Sequence, residues 1–125
     1  MTRCVLVVDD EPDIRAVARL SLERVGGLRV IEASSGMEAL EMVAASQPDA
    51  VLLDVMMPFV DGPTTYALLQ ADPRTRGIPV LLLTARADAI ERERWLAEGV
   101  RGVLAKPFDP MELPRLVSEL LGWGP

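Results

Sequence analysis

Three short stretches of this chain, Cys4-Val5-Leu6-Val7-Val8, Val51-Leu52-Leu53 and Val80-Leu81-Leu82-Leu83, are apolar at every position. A strand with one wet face alternates polar and apolar residues, whereas unbroken runs of this length fit strands covered on both faces, as in a parallel sheet sandwiched between helices. The intervals carry helical spacing. Pro12 suits the first turn of a helix, with Asp10 or Glu11 near its cap, and Ile14, Val17, Ala18, Ser21 and Val25 give its inward face up to Gly26-Gly27. A second strand, Leu28 to Ala33, ends in Ser34-Ser35-Gly36. It precedes a helix over about Gly36 to Ala45, with Leu40, Val43 and Ala44 inward and Pro48 closing it. After the strand Ala50 to Asp54 and the loop Val55 to Gly62, Pro63 opens a third helix that runs to Ala71. The strand Pro79 to Leu83 ends at Thr84-Ala85, a fourth helix spans about Ala87 to Ala97 and stops at Gly99, and a weak strand covers Gly102 to Ala105. The last helix runs toward Leu121; Pro114 predicts that its regular part begins only there, after a tighter turn over Asp109 to Leu113. Gly122-Trp123-Gly124-Pro125 reads as a tail.

Five alternations of strand and helix predict a doubly wound (flavodoxin-like) α/β fold with a five-stranded parallel sheet and five helices, one domain over residues 1–125. The 125 residues suffice to bury a core without a staple. The single Cys4 excludes an internal disulfide and sits in an apolar run, which predicts a small core residue in a reducing, cytoplasmic setting. No apolar stretch approaches the roughly 20 residues of a membrane span, and Met1 leads straight into the first strand, so neither membrane association nor a signal peptide is expected. A net charge of −6 favours a protein surface or a metal over a nucleic-acid backbone, and DNA binding by this domain is not expected. Twelve of the thirteen basic residues are Arg, which singles out the lone Lys106 as a position where a compact ammonium is kept.

What the strands end in defines a site. In open parallel sheets ligands bind beyond the carboxyl ends of the strands, where strand order reverses. The first strand ends in Asp9-Asp10, the third in Asp54, the fourth in Thr84 and the fifth in Lys106. If the second strand, which ends in uncharged Ser34, is an edge and the order is 2-1-3-4-5, all these groups converge on one rim. A lone Asp at a strand end is ordinarily a turn former. Five such residues on four neighbouring strands point instead to chemistry.

Two unit charges 4 Å apart repel by about 4 kcal/mol at an effective dielectric of 20, so Asp9, Asp10 and Asp54 need a cation among them. Lys106 supplies one positive charge and a divalent ion two more. All-oxygen ligation with few protein donors suits Mg²⁺, with Mn²⁺ able to replace it; Ca²⁺ is the alternative, but the chain has no EF-hand loop. A carboxylate kept ionised beside such an ion is a competent nucleophile toward phosphorus. Mg²⁺ and Lys106 would bind two of the transferring oxygens, the Thr84 hydroxyl would donate to a third, and Ala85 leaves space for the incoming group. The chain contains no His and offers no strong general base. The expected chemistry is acceptance of an activated phosphoryl group rather than turnover.

At these residues the chain resembles the receiver domain of two-component response regulators, over nearly its whole length. The residues that carry the resemblance are Val7-Val8-Asp9-Asp10-Glu11, Leu53-Asp54-Val55-Met56-Met57-Pro58 with Asp61-Gly62, Leu83-Thr84-Ala85 and Lys106-Pro107-Phe108. The resemblance implies that Asp54 is phosphorylated from the phosphohistidine of a sensor histidine kinase or phosphotransfer protein. It also implies that Asp9, Asp10, the Asp54 carboxylate and the Met56 backbone carbonyl hold Mg²⁺, with Pro107 supporting Lys106. It further implies a switch in which Thr84 moves toward the phosphoryl group and an aromatic three positions before the lysine turns inward. Here that position is Val103, which cannot swing as a ring does. The expectation is therefore that Thr84 to Arg86 moves and reshapes the face of the fourth helix, the fifth strand and the last helix.

Trp95 and Leu96 are consecutive on the fourth helix, so one is core and the other exposed; an exposed Trp95 would be a partner anchor. Met56, Met57 and Phe59 read as loop packing and kinase-docking surface, and Arg86 and Met56 flank the site where water would reach an acyl phosphate. The leading expectation is a stand-alone regulator or phosphorelay shuttle with a downstream protein partner, open to dimerisation on phosphorylation. A rival from the enzyme class is a haloacid-dehalogenase-like phosphatase. That family wants a second Asp two residues after the nucleophile, where this chain has Met56. A dinucleotide-binding domain fails on the glycine-free turn Asp9-Asp10-Glu11-Pro12. A phosphate-independent interaction module is disfavoured by the intact Asp54, Thr84 and Lys106.

Overall fold

The structure, a computed structural model, describes residues 2–124; Met1 and Pro125, the two ends of the expected reading, lie outside the described residues. Five parallel strands, β1 (Cys4–Val8), β2 (Arg29–Ala33), β3 (Ala50–Asp54), β4 (Val80–Thr84) and β5 (Gly102–Ala105), form one sheet in the order β2-β1-β3-β4-β5. The helices are α1 (Pro12–Leu20), α2 (Gly36–Ser46), α3 (Gly62–Ala71), α4 (Ala89–Ala97) and α5 (Leu113–Leu121). The predicted fold class, strand order and reversal point all appear in the structure.

Strand alternation divides the core in two. Val5, Val7, Ala50, Leu52, Leu81, Leu83 and Leu104 pack with Ala18 of α1 and Leu113, Val117 and Leu121 of α5. Leu6, Val8, Val51, Leu53, Val80, Leu82 and Val103 pack on the other face with Ala39 and Val43 of α2, Tyr66 and Leu69 of α3 and Trp95 of α4. Every residue of β3 and β4 is buried, as unbroken apolar runs demand of central parallel strands. Local signals set the helix ends. Ser35, Asp61 and Asp88 cap α2, α3 and α4 by accepting from the backbone N–H three residues on, at 3.1, 2.8 and 3.1 Å. Because Asp88 is a cap, α4 starts at Ala89 rather than near Ala87.

Several expectations need correction. The first helix does not run uniformly to Gly26: after Leu20 it widens into a π-helical turn over Ser21–Val25. One extra residue in that turn rotates the positions beyond it by about 100°. Val25 is therefore exposed, while Leu22 takes the buried place; Val17, which precedes the turn, is exposed on the flank of α1. Gly26 ends the turn at a close approach, since a Cβ there would stand 2.8 Å from Pro114 Cβ and 2.7 Å from the Leu22 carbonyl oxygen. In α2, Val43 is buried with Ala39, whereas Leu40 and Ala44 are only half-buried. Leu28 and Pro79 precede their strands, which begin at Arg29 and Val80. The described part of the tail is held: the Trp123 N–H donates to the Ser118 carbonyl at 2.9 Å, and the Arg3 guanidinium lies 4.6 Å from the ring centroid. Trp95 is buried and Leu96 is exposed, so the exposed-anchor reading of Trp95 does not hold.

Candidate functional site

The register of the sheet brings the acids together. Val8 pairs with Leu53, which places Asp9, one residue further, level with Asp54, and Asp54 itself pairs with Leu83 of β4. Asp9, Asp54 and Lys106 share strand parity with Val7, Leu52 and Leu104, so all three are directed to the α1/α5 side of the sheet rim. The Lys106 ammonium stands between the acids, 3.0 Å from Asp54 Oδ1 and 3.1 Å from Asp9 Oδ2. Ligand oxygens of Asp9, Asp10 and Asp54 lie within 4.8 Å of one another. Gly62 makes room for the strand end they share, because a Cβ there would meet the Asp54 carbonyl oxygen at 2.5 Å.

The two oxygens of Asp54 differ. Oδ1 faces Lys106 and accepts from the Met56 backbone N–H at 3.3 Å. Oδ2 is buried with no hydrogen-bond partner. On Asp9, Oδ1 accepts from the Glu11 N–H at 2.9 Å, and Oδ2 meets Lys106 without the alignment of a hydrogen bond. A buried carboxylate oxygen left unpartnered is costly unless a ligand completes it.

The electrostatics agree. Burial pushes the Asp54 carboxyl above its usual range; the Lys106 hydrogen bond pulls against this, and the neighbouring Asp9 charge adds to it. Burial alone would lower the Lys106 ammonium, but its close approach to the Asp54 and Asp9 carboxylates outweighs that and holds it above the ordinary lysine value. One lysine among three carboxylates leaves the cluster short of positive charge. An oxygen-seeking divalent cation fits both the donor set and the charge.

The other predicted residues occupy two places. Thr84 is buried at the end of β4, and its Oγ1 accepts from the Arg86 N–H at 3.1 Å, which leaves the hydroxyl proton free to be donated. It shares parity with Val80 and Leu82, and so with Val103, on the face opposite Asp54. Val103 is core: its side chain packs among Leu82, Trp95 and Val100, and its carbonyl accepts from Arg92 of α4 at 2.8 Å. Ala85 is exposed beside the site, and Pro107 follows Lys106 through a cis peptide bond. Ala85, Lys106, Pro107 and Phe108 line a shallow apolar hollow with Ile14 and Val17 of α1. In the loop after β3, Met57 is buried, whereas Met56 and Phe59 are exposed. The guanidinium of Arg86 lies 3.7 Å from Glu91 on α4. A larger surface hollow between α2 and the end of α3 gathers none of these residues.

Sequence reasoning missed Arg15 and Glu32. Arg15 Nη1 donates to the Asp9 carbonyl at 2.7 Å, and its Nε donates to Glu32 Oε1 of β2 at 3.0 Å. The only sequence signal was a basic residue beside the inward positions Ile14 and Ala18.

The fold and site are those of a doubly wound α/β domain with an acid-and-lysine cluster at its strand-order reversal. A family model described as the response regulator receiver domain matches residues 5–118. The chain is 39% identical over 121 residues to the phosphate regulon transcriptional regulatory protein PhoB of Klebsiella pneumoniae, covering 97% of this chain and 52% of that protein. It is 38% identical over 117 residues to the response regulator Rre1 of Synechocystis sp., covering 94% and 51%. A putative response regulator from Chloroflexus aurantiacus has the same fold with a TM-score of 0.86 at 35% identity, over 98% of this chain and 99% of that one. The chain belongs to the response regulator receiver family of two-component systems. It spans about half the length of these two curated relatives.

Proposed function

We propose that Asp54 accepts a phosphoryl group from the phosphohistidine of a sensor histidine kinase or phosphotransfer protein, and that the phosphorylated domain signals through a protein contact. The observation that carries this reading is the inequality of the Asp54 oxygens, with Oδ1 held by Lys106 and the Met56 N–H and Oδ2 buried and free. In the transfer, Oδ2 forms the new O–P bond, the P–N bond to the donor imidazole breaks, and that nitrogen keeps the bond's electron pair; the proton already on the ring's other nitrogen makes the departing donor a neutral imidazole. Lys106 neutralises an oxygen of the transferring group, and the Thr84 hydroxyl donates to another. Asp9, Asp10, Asp54 and the Met56 carbonyl would hold Mg²⁺, which supplies charge neutralisation at the phosphoryl oxygens, and Mn²⁺ would substitute.

No acid stands where a phosphatase of the haloacid-dehalogenase type needs one, because Met56 is there and its side chain is exposed. The domain therefore acts as an acceptor that loses its phosphoryl group slowly, not as a turnover enzyme. Input and output use different faces. Asp9, Asp54 and Lys106 belong to the α1/α5 side, whereas Thr84 and Val103 belong to the side covered by α4, and a shift of Thr84 to Arg86 would alter α4 and β5. Val103 lacks the ring of the usual switch, so Thr84 and its loop carry the change. Dimerisation through that face is one form the output can take, and the acidic balance favours a protein partner over DNA. No helix among the described residues is long and apolar enough to cross a membrane; a cytoplasmic location is part of the proposal.

The test is intact mass after incubation with acetyl phosphate, with and without Mg²⁺, for the native chain and Asp54→Asn. A gain of one phosphoryl group that needs both Mg²⁺ and Asp54 is expected. No gain under any condition would overturn the reading.

A further inference from the structure

We propose that Arg15 is a positioning residue for the acidic cluster, a guanidinium clamp oriented by Glu32 that fixes the peptide between Asp9 and Asp10. The inference rests on the reading of those two residues as the metal-side carboxylates.

The carbonyl that Arg15 Nη1 holds at 2.7 Å is the oxygen of the Asp9–Asp10 peptide. Fixing that peptide plane fixes ψ of Asp9 and φ of Asp10, and so the relative aim of two carboxylates on consecutive residues. Asp9 is held on its other sides as well: its N–H donates to the Ala33 carbonyl at 3.2 Å, and its Oδ1 accepts from the Glu11 N–H. Of these anchors only Arg15 acts on the Asp9–Asp10 peptide through a side chain. The fork has a fixed geometry, because its Nε is engaged by Glu32 Oε1 at 3.0 Å, and Glu32 lies on β2 opposite Val7 of β1. A lysine offers one ammonium and cannot reproduce this two-ended bridge.

The charge around the clamp is balanced. Glu32 also pairs with Arg19, and Arg19 pairs with Glu23, so two arginines face two glutamates. The Arg19 hydrogen bond in particular, opposed by partial burial, keeps the Glu32 carboxyl below its usual range, and Arg15 acts in the same direction. A bare cation beside a Mg²⁺ site would weaken Mg²⁺ binding, and neutralisation by Glu32 removes that objection. The two roles open to Arg15 now predict opposite signs. If its charge mattered most, removing it would tighten Mg²⁺ binding; if its geometry matters most, removing it loosens binding.

The experiment is calorimetric Mg²⁺ titration of the full chain for wild type, Arg15→Met, Arg15→Lys and Glu32→Gln, with amide hydrogen exchange at Asp10 and Glu11 in the metal-free proteins. Loss of an orienting outer partner typically costs 10–100-fold in metal affinity, and a drop of about 10-fold is expected for Arg15→Met. Arg15→Lys should fall nearly as far despite its charge, Glu32→Gln should fall less, and exchange of the Glu11 amide, which donates to Asp9 Oδ1, should quicken in all three. Mg²⁺ binding by Arg15→Met as tight as wild type or tighter overturns the inference. If Arg15→Met does not fold, Arg15→Lys and Glu32→Gln decide by the same criterion. A wild-type chain that takes up no Mg²⁺ overturns the metal reading instead, and unchanged Glu11 exchange in the variants would then overturn the clamp by itself.

Discussion

The Lys106 ammonium lies 3.0 Å from Asp54 Oδ1 and is the cation placed between that carboxylate and Asp9. Breaking a fully buried ion pair by removing one partner costs about 3–5 kcal/mol. Lys106 is partly solvated, with 19% of its side chain exposed, so Lys106→Met should destabilise the metal-free chain by a smaller amount, about 1–3 kcal/mol. Mg²⁺ should recover much of that loss by replacing the missing charge. Urea denaturation with EDTA and with millimolar Mg²⁺ measures both effects, and a variant as stable as wild type in EDTA would contradict the arrangement.

Asp54 predicts a pH dependence of opposite sign to an ordinary paired acid. Its folded-state pKa is raised, chiefly by burial, so its stabilising contribution is full below the unfolded value and is lost as pH rises through the folded value. At neutral pH the metal-free Asp54→Asn chain should therefore be more stable than wild type, with the gap closing as pH falls toward 4. Thermal melts in EDTA between pH 4 and 7.5 test this. Mg²⁺ at 100 times its Kd should add about 2.7 kcal/mol to wild type and much less to Asp54→Asn, reversing their order.

Trp95 and Leu96 should separate cleanly. Trp95→Ala removes a core residue from the α4 side and should cost about 3–5 kcal/mol, while Leu96→Ala, at a half-exposed position, should change stability by about 0.5 kcal/mol or less. Paired urea titrations give both numbers. Comparable costs would place the helix in the wrong rotation.

Thr84→Ala should slow phosphoryl uptake at Asp54, because one donor to the transferring oxygens is lost, and should uncouple the phosphorylated site from α4. Backbone amide shifts on treatment with beryllofluoride, a phosphoryl mimic, should then stay near Asp54 in the variant and extend through Thr84 to α4 in the native chain. Val103→Ala should behave differently, costing roughly 1–3 kcal/mol as a core truncation while keeping the extended shifts. Shifts confined to the Asp54 loop in the native chain would contradict the proposed route.

The strand ends were legible because two requirements coincide in them. A parallel strand covered on both faces is apolar along its length, so the first charged residue at its carboxyl end marks the rim, and Asp9, Asp54 and Lys106 each occupy that place. Parity along the strands then directs all three to one side. The rest depended on contacts that no local pattern encodes. The π-helical turn ends where Gly26 approaches Pro114, a contact between residues far apart in sequence. Trp95 and Leu96 are equally apolar neighbours, and only the packing of α4 on β5 chooses between them. Arg15 and Glu32 look like ordinary surface charges until β2 is placed beside β1, and Trp123 looks like a loose end until Arg3 is found over its ring.

The placement of the two tryptophans gives the molecule a pair of optical reporters. Trp95 is enclosed on the α4 side of the sheet, and Trp123 is half-covered on the α1/α5 side beneath a guanidinium. With Trp123→Phe, emission would come from Trp95 alone and would follow rearrangement of α4 in real time without an attached dye. With Trp95→Phe, the remaining signal would watch the opposite layer, so the spread of a disturbance from Asp54 can be timed separately on the two sides of the sheet.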